Sequence, residues 1–457
     1  NVGSALKLDL PDEAREATAE RMAYWDEKVQ NRMAQLDEQA LHQELRSYLK
    51  PLLLSTAKYP AVAMNPPYMG SSQMNGALKT YTKDHYPKSK RDLSAIFIEV
   101  GEALTRKHGR LGMINQQSWM FLKSYSSLRD HLINNITIIS MAHLGANAFR
   151  EIGGEVVQSV VFTLILDDPD DQKGVYFDLR DYKSPEEKEE KFTLRSNVYS
   201  DVEQKIYNYI PKKTISYWIS DKKVDLFKRE KIVDDFAEVR LGLCTGDNNK
   251  FLRMWHEVNR SSLNTKVESF EEAKTDKCTW VPHNKGGKAR KWYGIQDFVI
   301  RFDSEGVEEL SESCNKLASK SYYFKESVAW GKISTSEFRV RYMPRGFTFN
   351  VAGPSIFGDE IPHVLAFLNS RVADDLLRVI SSSMDYNGGD VEKLPFKKLD
   401  QPRRGRSIQL ANQCVSFAKE DWDSRETSWD FAQHPLAQQD TDSLKVAYAA
   451  WKEKSTD

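Results

Sequence analysis

The chain has 457 residues, with 65 basic and 66 acidic side chains, a hydrophobic fraction of 40% and a charged fraction of 29%. At about 100–200 residues per domain that length predicts roughly two to four domains, and the balance marks a folded chain, not a disordered one. A net charge of −1 neither demands nor excludes a nucleic-acid partner, because a neutral total can hide a basic groove on one face.

No apolar run approaches the ~18 residues a membrane span needs. Val156 to Leu166 is broken by Gln158, Ser159 and Thr163 and reads as a buried strand. The four cysteines are widely spaced with no CxxC pair, which predicts free thiols and no zinc site. No charged-then-apolar leader follows Asn1, so a cytoplasmic setting is expected, with no membrane partner.

In chain order, residues 11–58 carry apolar positions at helical spacing (Met33, Leu36, Leu41, Leu45, Leu49), which predicts one or two amphipathic helices stopped by Tyr59-Pro60. Ala61 to Met64 is a short apolar strand that runs straight into Asn65-Pro66-Pro67-Tyr68. Asp92 is placed to cap a helix over 92–107, closed by Gly109. Strands are expected at 110–116, 136–141 and 156–167, with a helix at 126–134. The alternation of strand and helix from 60 to 145 predicts a mostly parallel, Rossmann-like α/β sheet.

Residues 184–191, Ser-Pro-Glu-Glu-Lys-Glu-Glu-Lys, read as a charged solvated linker or helix start. From about 226 to 400 short strands, helices and polar turns follow one another without that rhythm, as in an α+β domain. Residues 401–457 are polar, tryptophan-bearing and helical in pattern, ending in a helix over 440–454. The expected division is 1–225, 226–400 and 401–457.

Asn65-Pro66-Pro67-Tyr68 is the motif that carries chemistry. Ligands of open α/β sheets sit outside the carboxyl ends of the strands, where this tetrapeptide stands. Methylating an aromatic amine requires localising its nitrogen lone pair, which two acceptors aimed at its two N–H bonds achieve. The side-chain carbonyl of Asn65 is one, and the backbone carbonyl of Pro66 a second, its direction stiffened by Pro67. Tyr68 offers a ring face on which an extruded base can stack. Taken alone, the tetrapeptide could equally be a polar turn.

The segment from Ala61 to Leu166 resembles the catalytic half of the gamma-type amino-methyltransferases that act on adenine. The tetrapeptide matches their catalytic motif, Asp92 to Phe97 and Gly109 to Ile114 their next helix and strand, and Gly145 to Phe149 their late motif. The resemblance implies that Phe97 packs on the adenine of S-adenosylmethionine, and that Phe149 closes on the flipped base opposite Tyr68. Asn65-Pro66-Pro67-Tyr68-Met69-Gly70, Gln117 to Met120, Ala142 to Gly145, Gly153 to Val156 and Glu420 to Asp423 are similar to the branch found in bacterial BREX phage-defence systems. A site-specific DNA adenine methyltransferase is thereby implied, with double-stranded DNA and other defence proteins as partners. One departure stands out. The family's glycine-rich loop that cradles the cofactor's methionine is not in this sequence, and Gly3-Ser4-Ala5-Leu6 resembles the block next to the cofactor's adenine, which makes Ser4 a cofactor candidate. An internal fragment that alone binds cofactor poorly and is inactive is the expectation.

Residues 226–400 resemble the target-recognition region of such enzymes, opening at Leu241 to Asn249. Their most informative stretch runs from His283 to Gly294, in which Lys285, Lys288, Arg290 and Lys291 interleave with glycines, Trp292 and Tyr293. Glycine lets backbone approach a phosphate and the cations neutralise it, although such runs are often merely solvated hairpins. Arg339, Arg341 and Arg345 around Tyr342 and Phe347 form a second candidate for DNA contact, or surface ion pairs. His143 is expected to make a structural hydrogen bond. Alternatives are a DNA-binding scaffold subunit that keeps the fold without catalysis, a methyltransferase acting on a glutamine amide or RNA, and a restriction-modification fusion.

Overall fold

The computed structural model describes residues 5–149, 158–169, 172–274, 279–312, 315–333, 337–381, 386–437 and 441–454. Two compact units divide the chain, Asn1–Ser220 and Asp221–Asp457.

The first unit opens with two long helices, α1 (Asp12–Gln30) and α2 (Leu36–Thr56). They meet through Trp25 stacked on His42, whose ring also bonds Asp26 at 2.8 Å, and through Lys28 on Glu38. Neither helix buries a residue, and Leu41, Leu45 and Tyr48 lie exposed. After them come β1 (Tyr59–Met64), α3 (Gly76–His85), α4 (Leu93–Leu104), β2 (Thr105–Gln116), α5 (Ser126–Asn135), β3 (Thr137–Gly145), β4 (Ser159–Ile165), β5 (Lys173–Asp178), α6 (Pro185–Thr193) and β6 (Val198–Glu203). Burial drives the order. Helix α4 buries most of its residues, and β4 alternates buried Val160, Phe162 and Leu164 with more open positions, Phe162 meeting Trp119 ring to ring at 5.1 Å.

The six strands form one sheet in the order β1-β2-β4-β3-β5-β6. The pairs β1–β2 and β3–β5 are parallel. Strand β4 is antiparallel to both neighbours, and β6 to β5. The sheet is therefore mixed, which corrects the mostly parallel expectation. The alternation of strand and helix expected up to residue 145 does not continue into a parallel strand, because β4 runs back antiparallel to β3. Gly109 is likewise not a helix cap. Strand β2 begins at Thr105, and Gly109 lies inside it, accepting from Leu166 N at 3.0 Å.

The second unit starts with α7 (Asp221–Arg229), β7 (Glu238–Arg240), α8 (Asn248–Phe251), β8 (Leu252–Met254) and α9 (Phe270–Ala273). It continues through β9 (Trp280–Asn284), β10 (Phe298–Arg301), α10 (Ser304–Ser311), β11 (Ser327–Ala329), β12 (Arg341–Met343), β13 (Thr348–Phe349) and β14 (Ser355–Phe357). The helices α11 (Ile361–Leu368), α12 (Arg371–Ile380), α13 (Gly388–Val391), α14 (Gln401–Asp423) and α15 (Leu444–Lys454) follow. Two small sheets result, β13-β9-β10-β8 and β12-β11-β14-β7. The first closes over Val281, Ile300, Phe302 and Phe324, the second over Val328, Trp330, Ile356 and the apolar faces of α11 and α12.

Cys414 is free, whereas Cys244 is disulfide-bonded, a correction to the free-thiol expectation. Pairing depends on proximity in the fold, which sequence spacing does not display. Among the described residues no helix is long and apolar enough to cross a membrane, and no cluster of metal-binding side chains occurs.

Candidate active site

Asn65 is the first residue beyond β1, at the carboxyl end of that strand. Its side chain is exposed and has no hydrogen-bond partner among the described residues. Pro66 behind it is buried and Pro67 exposed. The rest of the turn is tied to the start of α4: Leu93 N donates to Met69 O at 3.0 Å, and Ser71 N to Arg91 O at 2.7 Å. Asp92 caps that helix as its sequence predicts, its carboxylate accepting from Ser94 N at 2.8 Å. Asn115 on β2 donates to Ser94 O at 2.8 Å, so the neighbouring strand braces the same corner.

Tyr68 is half-buried with its hydroxyl out of solvent. Ser159 Oγ, also enclosed, lies near it outside hydrogen-bonding geometry. Burial pushes the phenol up, Ser159 opposes the shift and the Asp92 carboxylate adds to it. Phe97 is half-buried on α4 against the cluster of Ala5, Tyr86, Leu93 and Ile96. Phe149, beyond the end of β3, is 37% exposed. Ser159 opens β4, which runs antiparallel and pairs with Gln116 and Gly145. The stretches carrying Asn65, Phe149 and Ser159 therefore leave the sheet at one edge. Ser4, and the Gly153 to Val156 block, lie outside the described residues.

The strand ends beside this turn carry a polar chain centred on His143, whose structural hydrogen bond the sequence leads one to expect, though not the chain's extent. The His143 ring is fully buried, and desolvation, aided by the Arg180 cation, pushes its pKa down to about 3. Neutral, it accepts from Tyr217 Oη at 3.0 Å through Nδ1 and donates through Nε2 to Gln117, whose amide donates on to Gln158. Arg180 grips Asp178 with two bonds of 2.8 and 2.6 Å, and its guanidinium lies 4.3 Å over Trp218. Lys188 is also buried, its ammonium held by three backbone carbonyls, although its surrounding run of charges reads as solvated.

In the second unit the basic stretch is a built turn. Gly286 and Gly287 have φ of +87° and +101°, and a Cβ on Gly286 would stand 2.3 Å from Ala352 O. Arg341 fills the space under this turn, wholly buried, donating to Asn284 Oδ1 at 2.9 Å and to Gly286 O. Burial drives its pKa down to about 10. That placement corrects its expected position on an exposed strand face shared with Arg339 and Arg345: Arg341 is an internal support. Arg345 is exposed, and Arg339 lies 3.6 Å from Glu337. Arg290 is engaged with Asp421 at 2.7 Å and with the Trp422 ring, Lys291 donates to Asn369 O at 3.0 Å, and Lys285 lies over Phe298 at 4.5 Å. Trp292 packs against the core cluster of the second sheet. Lys288 is exposed, with no partner among the described residues.

Residues 6–149 match the Eco57I restriction-modification methylase family. Over 93% of its length the chain is 34% identical to the adenine-specific methyltransferase PglX of Lacticaseibacillus casei (strain Zhang), covering 36% of that protein. Over 98% of its length it is 33% identical to the adenine-specific methyltransferase BrxX of Escherichia coli O9:H4 (strain HS), again covering 36%. It thus spans little more than a third of the length of these curated relatives. In fold it resembles the type IIL restriction-modification enzyme MmeI in complex with DNA, with TM-score 0.52 and 13% identity over 86% of this chain and 56% of that one. The similarity to PglX and BrxX runs through both units of the chain.

Proposed function

We propose that the protein carrying this chain is a site-specific DNA adenine N6-methyltransferase of a bacterial phage-defence system, marking host DNA as self. The observation that carries this reading is the Asn65 carboxamide: exposed, without an internal partner, and projecting from a strand end whose following turn is fixed by Pro66, Pro67 and the bonds of Met69 and Ser71. The backbone of a turn so held loses little freedom when substrate arrives, and the carboxamide keeps both its hydrogen-bonding groups for it.

In this mechanism Asn65 Oδ1 and the Pro66 carbonyl each accept one N–H of the exocyclic amine of an extruded adenine. The nitrogen lone pair is thereby withdrawn from the ring and turned outward. Tyr68 and Phe149 hold the base between their rings. S-adenosylmethionine, when bound, supplies an electrophilic methyl on its sulfonium, so no strongly shifted base is needed. The residues present suit that group in part. Phe97 is only half-buried on α4, whereas no glycine-rich cradle for the methionine end is written in these residues.

The second unit serves as target recognition, with 226–400 as its DNA-contacting part and Lys285, Lys288, Arg290, Lys291 and Arg339 at or near its surface. MmeI was solved on DNA, which supports duplex DNA as the partner. The test is adenine-methylation sequencing of host DNA from cells expressing the complete gene product, intact or with Asn65→Ala, beside its genomic neighbours. Methylation at one short motif, lost in the variant, is expected. No adenine methylation in either strain, despite folded protein that binds DNA, would overturn the catalytic reading and favour a scaffold.

A further inference from the structure

The Lys188 ammonium is an unusual group to find inside this unit. It sits in α6, within a run of charged residues, and is 3% exposed. Ser184 turns the helix inward by capping it, its hydroxyl accepting from Glu187 N at 3.1 Å. Lys188 Nζ then donates to Leu144 O at 2.7 Å, Leu179 O at 2.7 Å and Tyr182 O at 2.5 Å. An ammonium has three donors and all three are used. Among the described residues no carboxylate bonds it directly; the carbonyls hold it, while the Glu187, Asp178 and Asp181 carboxylates favour its charge from farther off and burial opposes it. A buried charge is costly, and a core that needed only bulk here would be served better by methionine.

The carbonyls come from two places. Leu144 is the penultimate residue of β3, and Leu179 and Tyr182 follow β5. The two strand ends are already joined by Leu179 N donating to His143 O at 3.0 Å. Gly145, next in line, takes φ +67° with its α-carbon face against Arg180, a Cβ there meeting Arg180 at 3.1 Å. Arg180 cannot retreat, being gripped by Asp178 and roofed by Trp218. The chain therefore leaves β3 in one fixed direction, and Phe149 lies just beyond this exit.

We infer that Lys188 is a positioning residue for Phe149: by binding the Leu144, Leu179 and Tyr182 carbonyls it fixes the exit of the chain from β3 and so the place where Phe149 meets the extruded base. The inference rests on the adenine-methyltransferase reading above. Its first consequence is local and needs no catalysis. With Lys188→Met in the full-length protein, amide hydrogen exchange of residues 144–149 is expected to quicken about tenfold or more, while the β1 and β2 amides keep their rates. Unchanged exchange at 144–149 would overturn the inference, whether or not the protein methylates DNA.

The second consequence is functional. On a duplex with a paired target adenine, Lys188→Met is expected to lose kcat/KM by about 10- to 100-fold, the scale of an ångström-sized misplacement. On a duplex whose target adenine faces an abasic site, the base is already unpaired, and the variant is expected to recover to within a few-fold of wild type. Asn65→Ala should recover on neither. An equal loss on both duplexes would assign Lys188 a merely structural role. A wild-type protein that methylates neither duplex would refute the adenine reading while the exchange result still decides the clamp. If Lys188→Met does not fold, Lys188→Gln, which keeps two donors and no charge, takes its place with the same expected outcomes.

Discussion

Asn65 and His143 stand at strand ends of one sheet under opposite conditions. The Asn65 side chain faces solvent with its hydrogen-bonding capacity unspent, whereas both ring nitrogens of His143 are used internally. The histidine therefore reports on folding. Its folded pKa of about 3 lies far below the ~6.5 of an exposed imidazole, so the unfolded chain takes the proton first as pH falls. Its contribution to stability is full above about pH 6.5 and is lost progressively below it, at roughly 1.4 kcal/mol per pH unit. His283 in the second unit, likewise pushed down to about 3 by burial, adds a slope of the same sign. Urea unfolding at pH 7.5 and 5.5 should show the loss, and a free energy that stays level between them would contradict the buried neutral rings. Gly145→Ala probes the β3 exit differently. A side chain at φ +67° costs about 1–2 kcal/mol, so the variant should melt several degrees lower.

At the scale of elements, α5 is held by two side chains rather than by its own ends. Gln204 Nε2 donates to Ile133 O at 2.9 Å and Ile136 O at 2.6 Å, and its Oε1 accepts from Ile138 N at 2.8 Å, joining the end of α5 to the start of β3. Arg129, fully buried, donates to the carbonyls of Trp119, Leu122, Lys212 and Lys213. Gln204→Leu should cost about 1–3 kcal/mol in denaturant unfolding, the scale of orphaned buried groups. An unchanged midpoint would show these bonds to be replaceable by water. Such ties explain what could be read in advance. Asp92 as a cap, the strand before Asn65 and the α5 region are local signals of period and capping. The antiparallel course of β4, the inward turn of Lys188 and the burial of Arg341 are not local. A charge run looks solvated whichever way one of its members points, and an arginine near aromatics looks like a surface contact until the Gly286-Gly287 turn is seen to fold over it.

For the whole molecule, the ledger of cations differs from the one that composition suggests. Of the basic residues near the Gly286-Gly287 turn, Arg290, Lys291 and Arg341 are committed to internal partners and Lys288 is not. On the DNA-binding reading, Lys288→Ala should reduce the slope of log binding constant against log salt by about one unit, with melting unchanged. Arg341→Met should instead lower the melting temperature, because it empties the space beneath the turn. Salt titrations of the two variants on duplex DNA separate the roles. Equal slopes for Lys288→Ala and wild type would remove that residue from the phosphate contacts.

The antiparallel course of β4 has a consequence for variation. Gly145 sits opposite Ser159, so residues 146–158 are tethered with both feet on adjacent strands, about 5 Å apart. Lengthening a tethered stretch barely disturbs folding: each doubling adds only about 0.6 kcal/mol of closure cost. On the proposed function, insertions between these feet should shift how a target base is grasped while the pairing of β3 with β4 holds. The turn at Asn65 has no such latitude, being bolted to α4. Drift in behaviour, without drift in fold, has its natural home between Gly145 and Ser159.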